Sequence, residues 1–354
     1  MIGHLSTNVS GSSLSFRQLV DKLVSDDRVE STVVNTARPA HLTTSWYVNI
    51  KSGLKVTFQV IKLINKYDVV TFSSSRPAMM LYGPIIYLIT RIFKRPLIVR
   101  LFGGEFEAEY EGLNYFKKWL MNHTVFSSEL CLLQTKHLVS YFTDKGIRCV
   151  RWFPTSRKIV EQDYKIDEKG EKTCKNFIFL GRVIREKGID VILESIPRLN
   201  PGLTVDIYGS LDGEYTDEEL NAGGGGIVRY RGVLSHQAVN SILVNYDALI
   251  LPTYYQGEGY PGVVVEAYNC GLPVIVTNWR AIPEIVDETT GILIPVKSAE
   301  ALAGAMNWLN SDRGLYNRLR KGAYNKRLMF SDDFWTDRFI NWCEKLDAGL
   351  IPEK

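Results

Sequence analysis

Hydrophobic and polar positions along the 354-residue chain switch repeatedly between two periods. Apolar runs of strand length recur at 2–7, 30–36, 68–74, 97–102 and 129–134. Between several of them lie segments with apolar residues at helical spacing, such as SFRQLVDKLV (15–24) and VTFQVIKLINK (56–66). A second series opens at KNFIFLGR (175–182) and continues through LTVDIYGS (203–210), IVRYRGVL (227–234), DALILPT (247–253), PVIVTN (273–278) and ILIPV (292–296). Its helical candidates include KGIDVILESIPRL (187–199), SHQAVNSILVN (235–245) and SAEALAGAMNWLN (298–310). Strands that alternate with helices predict right-handed βαβ units and parallel sheets. Two such series predict an α/β protein of two doubly wound, Rossmann-like domains, with ligand in a cleft facing the carboxyl ends of both sheets.

The change-over falls in VRWFPTSRKIVEQDYKIDEKGEK (150–172), where Pro154 and a run of charged residues interrupt the pattern. The predicted domains are therefore 1–153 and 154–330. Beyond them, Phe334, Trp335, Phe339, Trp342 and Leu346 recur at helical spacing. Such an aromatic stripe reads as packing, a terminal helix within 331–354 laid back on the surface of the N-terminal domain. GGGG at 223–226 has no Lys-Ser/Thr after it and reads as a flexible connector, not a phosphate loop.

Composition narrows the class without changing the architecture. Hydrophobic residues at 45% and charged residues at 23% suit a globular chain and exclude a disordered one. Cys131, Cys149, Cys174, Cys270 and Cys343 are scattered and form no C-x-x-C pair, which suits a reducing compartment and points to neither a disulfide framework nor a zinc site. The first residues have no basic and apolar leader pattern, so a cytoplasmic protein is expected. The most apolar window, 77–93, is broken by Gly83, Pro84 and Arg91 and falls short of the ~20 residues a spanning helix needs. The formal charge of +3 hides an asymmetry: residues 1–153 hold 19 Lys+Arg against 11 Asp+Glu, net +8, and the remainder 23 against 28, net −5. A basic first half suits peripheral contact with an anionic membrane, at its inner face, with ordinary solubility charge as the competing explanation. No nucleic-acid partner is expected.

The chemistry concentrates in GEGYPGVVVEAYNCGLPV (257–274). Gly257, Gly259 and Gly262 spell G-x-G-x-x-G, but a dinucleotide turn follows its strand almost at once, and here PTYYQ intervenes. Glu284 lies at a tempting distance for the acid of that motif, yet it ends no evident second strand. Pro261 suits the first turn of a helix that Gly271 and Pro273 would stop. Val263 to Val265 are poor helix formers, so a strand competes locally. With Gly259, Tyr260, Pro261, Gly262 and Val263 at its entrance, such a helix offers backbone N–H groups and a dipole suited to a diphosphate. Glu258 precedes it and Glu266 lies within it. A carboxylate there requires a partner: a sugar diol or, in the plainer alternative, an arginine or a neighbouring loop that it caps. Arg182 and Lys187 follow the first strand of the second series, where cations face the ligand and would stabilise a departing nucleoside diphosphate. A solvated Arg-Lys face is the plainer alternative.

Taken in order, FLGRVIREKGIDVILESI, ALILPTYYQGEGYPGVVVEAYNCGLPVIVTNWRAIPEIV and TGILIPVKSAEALAGAMNWL resemble the donor domain of family 4 glycosyltransferases, over 176 to about 310. The resemblance implies a GT-B fold and retaining transfer of a sugar from a nucleotide diphosphate sugar, without metal or other cofactor, to a glycan or lipid-linked acceptor, as in bacterial-type surface polysaccharide or glycoconjugate assembly. It implies that Glu258, first of an E-x7-E pair, contacts the donor sugar and that Glu266 holds the ribose hydroxyls. Arg182 and Lys187 match the diphosphate pair, and the backbone from Gly259 to Val263 matches the phosphate loop. Gly209 and Ser210, with Val233 and Leu234, match segments that line the nucleobase. In the first half, Gly11 stands where many members have a Gly-Gly loop, with Ser12 in place of the second glycine. Gly103 and Gly104 are followed by Glu105 where many members carry a His-Gly pair, and neither His4 nor His123 takes a role. The implied mechanism is front-face attack by the acceptor hydroxyl, a diphosphate oxygen taking its proton. No Asp-x-Asp pair offers a metal clamp. Three rivals share some of these residues: a GT-B epimerase acting on one nucleotide sugar, a dinucleotide oxidoreductase, and a catalytically silent sugar- or lipid-binding protein.

Overall fold

The computed structural model describes residues 1–5, 11–37, 46–159 and 173–350. The chain forms two compact units, Met1–Ser156 with Asp332–Lys354, and Arg157–Ser331. The first unit runs β1 (Ile2–Gly3), α1 (Gly11–Val24), β2 (Val34–Asn35), α2 (Trp46–Leu63), β3 (Val70–Ser74), α3 (Arg76–Ile92), β4 (Leu97–Leu101), α4 (Phe106–Glu111), α5 (Tyr115–Asn122), β5 (Leu130–Leu133), α6 (Lys136–Asp144) and β6 (Val150–Trp152). Its sheet is parallel throughout, in the order β2-β1-β3-β4-β5-β6. The period of two sorts the side chains. Leu97, Val99 and Leu101 of β4 join Phe72, Met79 and Ile86 on one face, while Ile98 joins Leu130, Leu132 and Phe153 on the other.

Two elements differ from the sequence pattern. β6 continues the first sheet inside the expected change-over, with Val150 beside Cys131. A three-residue edge strand with a single buried valine leaves almost no alternating signature. Residues 160–172 of that change-over lie outside the described residues, as do residues 6 and 7 of the first predicted strand. The apolar window at 77–93 is α3, which runs through Gly83 and Pro84. Gly83 is needed there because a Cβ would lie 2.6 Å from Val125 Cγ2. Among the described residues no helix is long and apolar enough to cross a membrane.

The second unit runs β7 (Asn176–Leu180), α7 (Ile189–Ser195), β8 (Thr204–Tyr208), α8 (Asp217–Gly223), β9 (Val228–Tyr230), α9 (Val239–Leu243), β10 (Ala248–Leu251), α10 (Gly262–Asn269), β11 (Val274–Thr277), β12 (Gly291–Ile294), α11 (Ala299–Ser311) and α12 (Arg313–Lys326). Its parallel sheet has the order β12-β11-β10-β7-β8-β9, so strand order reverses between β7 and β10. Ligands of open α/β sheets bind outside the carboxyl ends at such a switch point. The glycine run at 223–226 is an ordered turn, not a flexible connector. Gly224 is the C-cap of α8, and a Cβ on it would lie 2.3 Å from the Val228 carbonyl oxygen. Gly225 and Gly226 take positive φ, which stops the helix and turns the chain into β9.

The terminal helix α13 (Asp332–Asp347) belongs to the first unit. Trp335, Phe339, Trp342 and Leu346 pack with Leu19, Leu23, Ile98 and Phe153, whereas Phe334 of the expected stripe is 51% exposed. Ion pairs of Lys22 with Asp333 and of Arg28 with Asp337 border this packing.

Candidate functional site

The loops that leave β7 and β10 meet at the switch point of the second unit. Past β7 the chain turns through Arg185–Lys187 and reaches Gly188, whose φ is +87°. A Cβ on Gly188 would lie 2.3 Å from the Pro252 carbonyl oxygen, so only glycine lets the two loops approach this closely. Tyr254 N–H donates to the Glu186 carbonyl at 2.8 Å, tying the loops by backbone. This contact sets Lys187 Nζ 2.6 Å from Glu258 Oε2. Thr253 Oγ1 donates to the same oxygen at 2.9 Å. Glu258 is buried, and its Oε1 takes no hydrogen bond from the described residues. The carboxylate is thus anchored through one oxygen and open at the other.

Arg182 is half-exposed, 3.6 Å from Asp212, and its guanidinium lies 5.0 Å from the Tyr255 ring centroid. Lys187 Nζ lies 5.2 Å from the same centroid, so the two expected diphosphate cations share one aromatic ring. The loop after β8 closes on them. Gly209 has φ +150°, and a Cβ there would lie 1.6 Å from the Gly181 carbonyl oxygen. Val183 N–H donates to the Ser210 carbonyl at 2.9 Å, and Ser210 Oγ to Asp212 at 3.1 Å. Gly209 N–H reaches the Gly232 carbonyl at 3.0 Å, which places the neighbouring Val233, 69% exposed, and partly buried Leu234 beyond β9.

α10 forms despite its three valines because Val264 and Val265 are fully buried, so packing overrides propensity. Pro261 is the N-cap, one residue outside the helix instead of inside its first turn, and no side chain caps it. The entrance amides are those of Gly259, Tyr260, Gly262 and Val263, since proline has none. The Tyr260 side chain is buried and donates its hydroxyl to Glu284. Glu284 ends a 3-10 turn, Ile282–Glu284, and no strand.

Glu266 has an arginine partner. Arg157 Nε donates to Glu266 Oε1 at 2.7 Å, and the two side chains are only 5% and 9% exposed. The guanidinium lies over the helix entrance, where a Cβ on Gly262 would fall 1.9 Å from an Arg157 terminal nitrogen. His236 Nδ1 stands 3.9 Å from the same carboxylate oxygen. Burial lowers the His236 pKa, with Glu266 raising it and Arg157 lowering it, so the ring is neutral at neutral pH and is no counter-charge to Glu266. As with Glu258, one carboxylate oxygen is held and Oε2 takes no bond from the described residues.

Arg157, Thr253, Tyr255 and His236 escaped sequence reasoning. Arg157 lies 109 residues from Glu266, in a stretch whose charge resembles that of a linker, and nothing local marks it. In the first unit, Gly11 opens α1 with no atom of the described residues within 4 Å of its Cβ position, and Ser12 lines a cavity of about 440 Å³ with His4, Thr36, Ser73 and Ser75. Gly103 has φ +108°, its N–H donates to Gln134 at 3.1 Å, and Gly104 and Glu105 lead from it into α4. Among the described residues no three His, Cys, Asp or Glu side chains cluster as metal ligands.

Known proteins resemble this chain in sequence and in fold. Residues 161–326 match the family described as glycosyl transferases group 1. The fold is that of GT-B glycosyltransferases: the structure matches Anabaena Alr3699/HepE in complex with UDP at TM-score 0.73, with 15% identity, over 97% of this chain and 98% of that one. It matches sucrose-phosphate synthase of Thermosynechococcus elongatus at TM-score 0.72, with 16% identity, over 98% and 95%. In sequence the chain is 23% identical over 269 residues to the N,N'-diacetylbacillosaminyl-diphospho-undecaprenol alpha-1,3-N-acetylgalactosaminyltransferase of Campylobacter jejuni, covering 73% of this chain and 68% of the relative. It is 33% identical over 129 residues to the putative teichuronic acid biosynthesis glycosyltransferase TuaC of Bacillus subtilis, covering 36% and 31%. The family match falls within the second unit, and both named relatives are glycosyltransferases.

Proposed function

We propose that the protein is a retaining, metal-independent glycosyltransferase that moves a sugar from a nucleotide diphosphate sugar to a hydroxyl of a glycan or lipid-linked saccharide, in the assembly of a surface polysaccharide or glycoconjugate. The second unit binds the donor and the first the acceptor. The observation that carries the proposal is the convergence of Lys187, Arg182, Glu258 and the α10 entrance at one switch point. A leaving diphosphate gains negative charge as the glycosidic bond breaks, and two cations with a helix N-terminus oppose that charge. Glu258, anchored by Lys187 and Thr253, offers its second oxygen to the donor sugar. Glu266, anchored by Arg157, offers its second oxygen to the ribose hydroxyls. The acceptor hydroxyl attacks on the face the diphosphate leaves, and a diphosphate oxygen takes its proton. UDP in a GT-B structural neighbour and an undecaprenol-linked substrate in the name of a relative favour donor and acceptor of these classes.

The test is nucleotide release from a panel of nucleotide sugars, with and without lipid-linked saccharides. Release that depends on acceptor, with the anomeric configuration retained in the product, is the expected result. Isomerisation of the donor sugar without acceptor would replace the proposal with an epimerase. Normal turnover in Arg182→Ala, Lys187→Ala and Glu266→Ala alike would remove the site.

A further inference from the structure

Among the described residues, ten of the nineteen exposed large hydrophobic side chains lie on three helices of the first unit, α2, α3 and α5. On α2 they are Leu54, Phe58 and Ile61, spaced by four and three residues, so they share one face. On α3, Leu81, Ile85, Leu88 and Ile92 repeat the same spacing, 43–67% exposed, while Met79, Ile86 and Ile89 on its other side enter the core. On α5, Tyr115, Phe116 and Trp119 follow suit. The helices are neighbours. α3 packs against both others, and Gly53 of α2 leaves room for the Tyr82 ring of α3, 2.8 Å from where a Cβ would stand. A helix that is apolar all round is ordinarily covered on every side, and α3 is uncovered on one.

Charge decides what covers it. Residues 46–95 hold eight Lys and Arg against one acid, Asp68, which is most of the +8 of the first half. α2, α3 and α5 contain no Asp or Glu at all. Lys55 and Lys62 border the α2 ridge, and both are exposed and form no ion pair among the described residues, whereas Lys118, which borders the α5 ridge, pairs with Glu111 at 2.8 Å. Apolar ridges on helices whose own charges are all positive match a surface with an apolar interior and anionic headgroups, and they disfavour a second copy of themselves.

We propose that the outer faces of α2, α3 and α5 dock the protein on an anionic lipid bilayer, with the three apolar ridges seated at the headgroup boundary and the lysines on the lipid phosphates. The inner sides of α2 and α3, through Val56, Ala78, Tyr82 and Ile86, wall the cavity of the first unit that Ser12 also lines. Docking there holds that cavity beside the membrane surface. A saccharide could enter it while its lipid stays in the bilayer, a consequence that rests on the transferase proposal, although the docking itself does not.

The test is co-sedimentation of the full chain with vesicles of equal parts phosphatidylglycerol and phosphatidylcholine, against pure phosphatidylcholine, without nucleotide or acceptor. Binding to the anionic vesicles at low salt is expected, falling about fivefold for each of Lys55→Gln and Lys62→Gln. The pair Phe58→Glu/Leu88→Glu should abolish it with an unchanged melting temperature, these positions being exposed; Ile61→Gln/Leu81→Gln serves as the milder second pair. Failure of the wild-type chain to sediment, or undiminished binding in both apolar pairs, overturns the docking proposal. So does a wild-type dimer, seen by sedimentation velocity, that either apolar pair converts to monomer. Acceptor-dependent nucleotide release from water-soluble saccharides by Phe58→Glu/Leu88→Glu separates loss of docking from failure of the transferase assignment.

Discussion

Replacing Arg157 by alanine should unfold the second unit at markedly lower temperature. Its guanidinium is the one cation in contact with Glu266 among the described residues, at 2.7 Å, with both side chains nearly sealed from solvent. Truncation leaves a buried carboxylate without its counter-charge, which costs about 3–5 kcal/mol. His236 does not substitute, being neutral and 3.9 Å away. At roughly 2–4 °C per kcal/mol for a unit of this size, the melting temperature should fall by about 6–20 °C. Scanning calorimetry of wild type, Arg157→Ala and the double variant Arg157→Met/Glu266→Leu reads the effect. The double variant should recover most of the loss, because an apolar pair of similar volume is close to neutral in place of a buried ion pair. It should still fail to bind donor nucleotide, since Glu266 is gone. A shift in Arg157→Ala of less than about 2 °C, or no recovery in the double variant, would show that Glu266 does not depend on this contact. Gly262→Ala offers an independent check: its methyl group would displace the same guanidinium, so it should move the melting temperature in the same direction.

Three further outcomes follow from the site. Arg182→Ala should lower kcat by about tenfold or more with a melting temperature within about 1 °C of wild type, since a half-exposed cation contributes little to stability but opposes charge in the transition state. Gly209→Ala should destabilise by at least about 2 kcal/mol in urea unfolding, because its Cβ would collide with the Gly181 carbonyl and its φ is positive; an unchanged midpoint would refute the loop contact. His236 has a folded pKa below its unfolded value, so the unfolded state binds more protons in the window between them. Stability should therefore fall as pH drops below about 6.5, and His236→Gln should flatten that part of the melting-temperature profile.

Much of the architecture was legible because each strand of a parallel sheet is a compact apolar run separated from the next by a helix. β7, β8, β10 and β11 are buried on both faces and stand out in the sequence for that reason. β6 did not, being a short edge strand. α3 was obscured by Gly83 and Pro84, whose cost is met by the close approach of Val125 and by the buried half of the helix. The glycine run at 223–226 read as slack, yet it is a helix stop whose geometry depends on Val228, a residue of the next strand.

The sequence by itself determined the two βαβ series, the position of Arg182 and Lys187 beyond a strand, and the Gly-Pro-Gly entrance to α10, because these follow from local periodicity and from the backbone preferences of glycine and proline. Only the tertiary structure decided what the carboxylates touch. Lys187 and Glu258 are brought together by the crossing of two loops at Gly188 and Pro252, and Glu266 is met by an arginine 109 residues away. A buried charge demands a partner on energetic grounds, but the demand does not say which one. That choice belongs to the sheet order, which sets chemically ordinary residues side at the same switch point and gives each carboxylate one anchored oxygen and one left for ligand.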